Sequence, residues 1–126
     1  MSRFPGKPGE RWYNGADHAR RAWKLRMVKA ALANGEIVLS HTCSVCARMF
    51  PYAVGLHSED YTHPVAAYPV CRQCHFAIHI RFWRPEYWQG YIARLNPDGW
   101  FQRLSLDPET MTRPYSVSYP KGLPAP

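Results

Sequence analysis

Two Cys-x-x-Cys pairs constrain this chain more than any other feature of its sequence. Cys43 and Cys46 form the first pair, Cys71 and Cys74 form the second, and together they use all four cysteines of the chain. Twenty-four residues lie between the inner members of the two pairs. Two such pairs supply the four thiolates that Zn²⁺ binds tetrahedrally, so the sequence predicts a structural zinc site.

Two other kinds of site share part of this pattern. The run CRQCH, residues 71–75, matches the C-x-x-C-H sequence at which c-type haem is attached, and a single pair is also typical of thioredoxin-like redox sites. Haem attachment normally follows export, whereas the start of the chain lacks the apolar segment of a signal peptide. The redox interpretation needs a βαβ setting, and neither alternative explains both pairs. Structural zinc is therefore favoured.

The charge of the chain is basic and uneven. The 126 residues are enough for one domain with a real core, and they carry a net charge of +7. Residues 1–30 hold eight Lys and Arg against two acidic residues. This favours a polyanionic partner, with nucleic acid ahead of a membrane, although basic faces without a specific ligand are common. No apolar run is long enough to span a membrane, so we expect a cytoplasmic protein without a membrane partner.

Hydrophobic periodicity and turn residues predict the first elements. Apolar residues recur at helical spacing over residues 16–34, with Asp17 placed to begin this basic helix and Gly35 to end it. EIVLS, residues 36–40, is predicted to form a strand. Residues 47–69 are punctuated by proline and glycine, which favours short strands and loops.

Two further helices and a tail are predicted after the second cysteine pair. One helix runs over residues 71–83, and another begins at Pro85, with aromatic residues at a spacing typical of a core face rather than of a base-stacking platform. WFQRLSL, residues 100–106, is a candidate strand. Five prolines beyond Leu106 predict an extended tail. We therefore expect a small α+β protein with an N-terminal extended arm, one zinc-containing domain and a Pro-rich tail, at residues 1–15, 16–106 and 107–126.

Three histidines suggest a second metal site. His75 and His79 are four residues apart on the second predicted helix, so their imidazoles project from one side. His57 lies on the segment that precedes this helix. Any one of them alone would be interpreted as an ordinary imidazole in the core or at the surface. Together they predict a site for a second divalent metal such as Mg²⁺, Mn²⁺ or Ni²⁺.

The order of these motifs resembles that of HNH endonucleases with a built-in zinc knuckle, the ββα-metal relatives of the treble clef. The matching runs are CSVC, LHSEDYTHP and CRQCHFAIH, within residues 43–80, which is under a third of the chain. The resemblance implies a zinc-centred ββα core with the four cysteines as structural ligands. It also implies that His57 and His79 bind a catalytic metal, and it places His75 at the family's middle Asn/His position.

The chain departs from the family at the general base. The resemblance assigns that role to the second histidine of a His-His pair, and Ser58 stands there. A serine hydroxyl does not accept a proton near neutral pH, so hydrolysis of a phosphodiester would need a substitute base. The candidates are Glu59, Asp60 and His63.

These observations predict a zinc protein that binds nucleic acid, DNA more than RNA, with weak or absent nuclease activity. Phosphate contacts are expected from basic residues of the first two helices and their surroundings, namely Arg20, Arg21, Lys24, Lys29, Arg72, Arg81 and Arg84. The alternatives are an active metal-dependent endonuclease that nicks DNA, or a small docking or inhibitor protein that acts on a nucleic-acid-processing complex through its C-terminal tail.

Overall fold

The computed structural model describes residues 12–125. Within these residues lie four α-helices, a two-stranded antiparallel sheet and two 3-10 helices. In chain order they are α1 (His18–Ala33), β1 (Gly55–His57), β2 (Tyr68–Val70), α2 (Arg72–Ile80), α3 (Pro85–Ile92), the 3-10 helices Trp100–Arg103 and Pro108–Met111, and α4 (Tyr115–Ser118). The α+β class is confirmed. No helix of the described residues is long and apolar enough to cross a bilayer.

The described residues group into two compact units, each assembled from separate chain segments. The first unit contains residues 12–38, 58–67 and 107–122, and the second contains residues 39–57, 68–106 and 123–125. Each unit is therefore built from residues distant in sequence. The domain boundaries expected from the sequence stay a prediction.

Helix α1 dominates the first unit, and its ends follow the sequence signals. The Asp17 carboxylate accepts a hydrogen bond from the Arg20 backbone N–H at 2.9 Å, which caps the helix. Asn34 ends the helix, and Gly35 follows with φ +82°, a left-handed conformation that favours glycine. The predicted helix is confirmed to within two residues at each end.

The Pro-rich segment after Leu106 is not extended, so that prediction is wrong. It folds into a 3-10 helix and α4, and it buries Thr110, Met111 and Tyr119. Proline suits the first turn of a helix because its missing N–H would have no intrahelical partner there. Asp107 and Pro108 begin the 3-10 helix in this way, with the Asp107 carboxylate accepting the Glu109 N–H at 3.0 Å.

The end of the expected N-terminal arm also forms a compact turn. The backbone N–H of Tyr13 donates to Ala16, and that of Ala16 donates back to Tyr13, at 3.0 and 2.9 Å. Asn14 and Gly15 both have positive φ at the centre of this turn. The prediction of an extended arm is wrong for residues 12–15, and the rest of the arm lies outside the described residues.

The second unit is centred on the short sheet and the helix that follows it. Strands β1 and β2 pair antiparallel with His57 opposite Tyr68, and residues 43–48 form a tight turn that precedes β1. The core of this unit is mostly apolar and aromatic and includes Val54, Val70, Ala77, Ile78, Phe82, Trp88, Trp100 and Phe101. The short strands and loops expected over residues 47–69 are confirmed.

Two predicted strands are absent from the described residues. Residues 36–40 form no strand. The Val38 side chain is 83% exposed, so burial of this side chain does not stabilise a strand here. Trp100 and Phe101 lie in a 3-10 helix, and both are buried. A strand would direct two successive side chains to opposite faces, whereas a helical turn can bury both.

Candidate metal centre

The four cysteines come together in the second unit. Cys43 and Cys46 lie on the turn before β1, Cys71 is the N-cap of α2, and Cys74 lies in its first turn. Their Sγ atoms all lie within 4.8 Å of one another. Four thiolates around one Zn²⁺ at about 2.3 Å would have Sγ atoms about 3.8 Å apart, so the cluster has the size of a zinc site. This set of four was predicted from the spacing alone.

Hydrogen bonds from N–H groups stabilise negative charge on two of these sulfurs, those of Cys43 and Cys46. The Cys43 Sγ accepts backbone N–H groups from Val45 at 3.4 Å and Cys71 at 3.3 Å, and the Cys46 Sγ accepts Arg48 Nε–H at 3.4 Å. A hydrogen bond with Cys74 lowers the pKa of Cys43 to about 4, and the same hydrogen bond raises the pKa of Cys74. Zinc binds deprotonated cysteine, so the low pKa of Cys43 favours metal binding, whereas Cys71 and Cys74, whose pKa values are raised, would have to release protons on binding a metal.

The three predicted histidines form a separate cluster in the same unit. His57 ends β1, and its side chain is buried, whereas His75 and His79 lie one turn apart on α2 and are more accessible. The Nε2 atoms of His75 and His79 are 2.9 Å apart, and the centre of the His57 ring is 5.1 Å from the centres of both. The ring nitrogens available as ligands all lie within 4.8 Å of one another.

An aromatic stack supports the orientation of His57. Its ring lies parallel to the indole of Trp100, with the centroids 6.2 Å apart. Trp100 stacks in turn on Tyr68 at 3.7 Å and donates its indole N–H to Ser44 Oγ at 3.1 Å. Trp100 was predicted to lie in a strand, and no sequence signal indicated this role, although the indole follows directly on the turn NPDG.

The histidine cluster could hold a metal ion, and its ligand atoms would suit a transition metal better than Mg²⁺. Two imidazole nitrogens 2.9 Å apart match two cis ligands at about 2.0–2.1 Å from one metal. Imidazole suits Zn²⁺ and Ni²⁺, whereas Mg²⁺ prefers oxygen ligands. Three nitrogen ligands leave positions open for a further ligand, as in catalytic zinc sites.

The residues predicted as substitute bases belong to the first unit, where hydrogen bonds engage them. Glu59 is buried, and its carboxylate accepts bonds from Tyr13 Oη–H and from Asn14 Nδ2–H. Asp60 accepts the backbone N–H of Thr62 at 2.9 Å and also its hydroxyl. These bonds give both carboxylates a structural role in the 58–67 loop.

His63 and Ser58 lie in the same loop. The Nδ1 atom of His63 accepts the backbone N–H groups of Val65 at 3.2 Å and Ala66 at 3.0 Å, which orients its ring within the loop. Ser58, at the position where the resemblance puts the general base, is partly exposed. The chain passes from the second unit to the first between His57 and Ser58.

Lys24 does not contact phosphate, so that prediction is wrong. Its side chain is 2% exposed, and its ammonium donates to the carbonyl oxygens of Asp60, His63 and Ala66 at 2.9, 2.6 and 2.6 Å. Burial lowers the pKa of Lys24 to about 8, so the amine is still mostly protonated at neutral pH. Lys24 therefore holds the 58–67 loop to α1.

Arg81 is also a structural residue and not a phosphate contact. It is fully buried, and its Nε–H and Nη1–H groups donate to the carbonyl oxygens of Ser105 at 2.7 Å and Ile78 at 3.0 Å. Its guanidinium lies over the ring of Phe82. The prediction for Arg81 failed because the sequence does not show which face of α2 and its continuation is turned inward.

The other five predicted phosphate contacts remain accessible. Arg20, Lys29, Arg72 and Arg84 are exposed, and Arg21 is partly exposed. Two guanidinium groups lie over aromatic rings, that of Arg20 over Trp23 and that of Arg84 over Tyr87.

Comparison with known proteins gives no match: no protein-family model, no curated protein and no solved structure is similar to this chain. The resemblance to HNH endonucleases therefore rests on the order of the motifs. The possible zinc site rests on the cysteine cluster itself.

Proposed function

We propose that this chain is a zinc-stabilised, HNH-like protein that binds nucleic acid and cleaves it slowly or not at all. The main support for the proposal is that side chains from α2 and its N-cap belong to both clusters of candidate metal ligands. Cys71 and Cys74 at its start belong to the cysteine cluster, and His75 and His79 belong to the histidine cluster. The order of motifs that resembles the HNH family thus coincides with two distinct sets of ligands.

The cysteine cluster has the structural role in this proposal. It joins the turn at residues 43–48 to the start of α2, and Zn²⁺ bound there supplies a cross-link between these two segments. That cross-link would fix the first turn of α2, and with it the position of His75. The cysteine sulfurs need no open coordination position for this role.

The histidine cluster has the functional role. A divalent ion at His57, His75 and His79 supplies a Lewis acid with open positions, for which a phosphate oxygen is a suitable ligand. The three imidazoles favour Ni²⁺ or Zn²⁺ over Mg²⁺. Trp100 and the pairing of β1 with β2 hold His57 in place, so the cluster is organised by the fold of the second unit.

Slow cleavage follows from the proton-accepting groups. Ser58 does not act as a base near neutral pH, and Glu59, Asp60 and His63 are engaged by hydrogen bonds within the 58–67 loop. An active endonuclease is the second candidate function, since the three histidines are all present and clustered.

Nucleic-acid binding is supported by charge. The second unit exposes five arginines, which leaves out the buried Arg81, and contains two acidic residues. Helix α1 has no acidic residue along its length and exposes Arg20, Arg26 and Lys29. Such surfaces attract phosphate backbones by releasing counterions, an effect that depends on salt and little on sequence.

Metal titration tests this proposal most directly. The zinc-loaded protein should bind a second equivalent of Co²⁺ or Ni²⁺, which is visible in the absorption spectrum, and His57→Ala should lose that equivalent while zinc content is unchanged. The same protein should bind a short DNA duplex with an affinity that falls steeply with salt. A wild type that takes up one metal only, or that fails to bind duplex at low salt, would refute the corresponding half of the proposal.

A further inference from the structure

The first unit contains a cavity of about 760 Å³ that neither metal cluster uses. Its lining comes from three parts of the chain, at residues 12–23, 61–62 and 114–116. Four aromatic side chains line it, Trp12, Trp23, Tyr61 and Tyr115, together with polar groups that include Asn14 and Arg20. We propose that this cavity binds an unpaired base of single-stranded nucleic acid, a proposal that rests on the nucleic-acid binding proposed above.

The cavity is built by close packing of the main chain. The N–H of Gly15 donates to the carbonyl oxygen of Met111 at 3.0 Å. A Cβ added at Gly15 would lie 2.7 Å from the Cα of Pro114, so the turn at residues 13–16 is in direct contact with the segment that precedes α4. Two walls of the cavity are therefore fixed to each other, and its shape does not depend on flexible side chains alone.

The lining offers flat surfaces suited to a base. Trp12, Trp23, Tyr61 and Tyr115 are all partly exposed, so their rings are accessible. The guanidinium of Arg20 lies 4.8 Å from the centre of the Trp23 ring. Bases stack on aromatic rings and on guanidinium planes in proteins that bind single strands.

Asn14 helps to fix one wall of the cavity. The residue is 5% exposed, and its Nδ2 donates to the carbonyl oxygen and to the Oε1 of Glu59 at 2.7 and 2.9 Å. Its Oδ1 is buried and accepts no hydrogen bond from the described residues. Because this oxygen is shielded from solvent, it is not available to a ligand in the cavity, and the two Nδ2 hydrogen bonds fix Asn14 in the cavity wall.

Charge favours nucleic acid over the other common ligand of aromatic grooves. Proline-rich peptides also dock between aromatic rings, but their backbone lacks the regularly spaced negative charges of a nucleic-acid strand. Asp17 and Arg20 are the charged residues of the lining, and the Asp17 carboxylate is engaged by the Arg20 backbone N–H. Arg26 and Lys29 are exposed further along α1. In this proposal the basic residues of α1 contact the phosphates of a strand whose base occupies the cavity.

The test compares single-stranded with duplex binding in matched variants. A fluorescein-labelled oligothymidine and a duplex of the same length are titrated, with anisotropy as the readout. Trp23→Leu should weaken oligothymidine binding about tenfold, the loss expected for one stacked base, and leave duplex binding unchanged. Trp83→Leu, which alters a partly exposed tryptophan in the second unit, should leave both affinities unchanged.

A second variant separates stacking from charge and does not depend on how Trp23→Leu folds. Tyr115→Leu removes a lining ring from another part of the chain and no charge, so it should also weaken oligothymidine binding and leave duplex binding intact. An equal loss of affinity for both probes, or no loss for either, would overturn the base-binding site. Duplex binding by the wild type would still support the proposed function in that case. A labelled proline-rich peptide tests the alternative ligand: if Trp23→Leu weakens its binding and oligothymidine does not displace it from the wild type, the cavity is a peptide site.

Discussion

Cys74 and His75 are neighbours on α2, yet their side chains belong to different clusters. The Cys74 Sγ lies with three other thiols, and the His75 ring lies with those of His57 and His79. Successive helical residues point about 100° apart, so one helix can serve two sites on adjacent faces. This arrangement allows the two clusters to be removed independently by mutation.

The cysteine cluster should be necessary for the second unit to fold. Cys74→Ser removes one of four thiolates, and we expect the variant to lose its zinc and most of the stability that a structural site contributes, typically about 10–16 kcal/mol of metal-binding free energy at neutral pH. Elemental analysis and thermal unfolding measure the two effects. His79→Ala is the control, since it alters the other cluster and should keep one zinc. Full zinc content in Cys74→Ser would contradict the assignment.

The buried ammonium of Lys24 should be a large contributor to stability. Lys24→Met keeps the aliphatic stem and leaves the carbonyl oxygens of Asp60, His63 and Ala66 without their donor. We expect a loss of about 2–4 kcal/mol in the free energy of unfolding, because buried acceptors without partners are costly. Urea denaturation measures the loss.

Lys29→Met provides the matched control for this prediction. Lys29 lies on the same helix and is exposed, so its substitution should change the free energy of unfolding by less than about 0.5 kcal/mol. Equal effects of the two substitutions would show that the hydrogen bonds of Lys24 contribute little.

Three glycines should respond differently to alanine. Gly15 has φ +78°, and a Cβ there would meet the Pro114 backbone, so Gly15→Ala should destabilise the protein by more than about 2 kcal/mol. Gly35 has φ +82° with no atom close to its Cβ position, so Gly35→Ala should cost about 1 kcal/mol of backbone strain alone. Gly90→Ala, inside α3 with open space around it, should stabilise by up to about 1 kcal/mol. Denaturant titration measures the change in the free energy of unfolding for each variant. A loss at Gly15→Ala no larger than that at Gly35→Ala would contradict the packing of Gly15 on Pro114.

The sequence predicted the elements whose signals are local. Asp17 and Gly35 marked the ends of α1 because caps act within a few residues, and the cysteine spacing predicted a cluster because zinc requires a fixed number of ligands. The histidine cluster followed from helical spacing together with the resemblance. The predictions that failed concerned residues whose partners are distant in sequence. Lys24 was predicted to contact phosphate, but it is buried because the 58–67 loop supplies three carbonyl oxygens for its ammonium.

The prolines show a second kind of limit. Beyond Leu106 they were interpreted as a signal for extended chain, yet Pro108 begins a 3-10 helix. A proline both breaks a helix and favours its first turn, so its meaning depends on whether the following residues are buried. Here Thr110 and Met111 are buried, so Pro108 begins a helical turn. No periodicity in the sequence indicated that these two residues are buried.

Restoring a base at position 58 should separate a weakened nuclease from a simple binding protein. Incubated with supercoiled plasmid and Ni²⁺, Mn²⁺ or Mg²⁺, the wild type should nick slowly or not at all. Ser58→His should raise the nicking rate by about a hundredfold, the lower end of the ~10²–10⁴ that a general base contributes. Ni²⁺ should support the reaction better than Mg²⁺, because the predicted metal ligands are three imidazoles.

Two controls decide what such a gain means. Ser58→Ala should give no increase, which shows that the imidazole and not the loss of the hydroxyl is responsible. Adding His79→Ala to Ser58→His should abolish the gain and leave the zinc content unchanged, because it removes a predicted ligand of the second metal only. Brisk nicking by the wild type that disappears in His57→Ala would establish an active endonuclease, with its base among Glu59, Asp60 and His63. Absence of nicking in Ser58→His would show that the histidine cluster does not support catalysis even when a base is supplied.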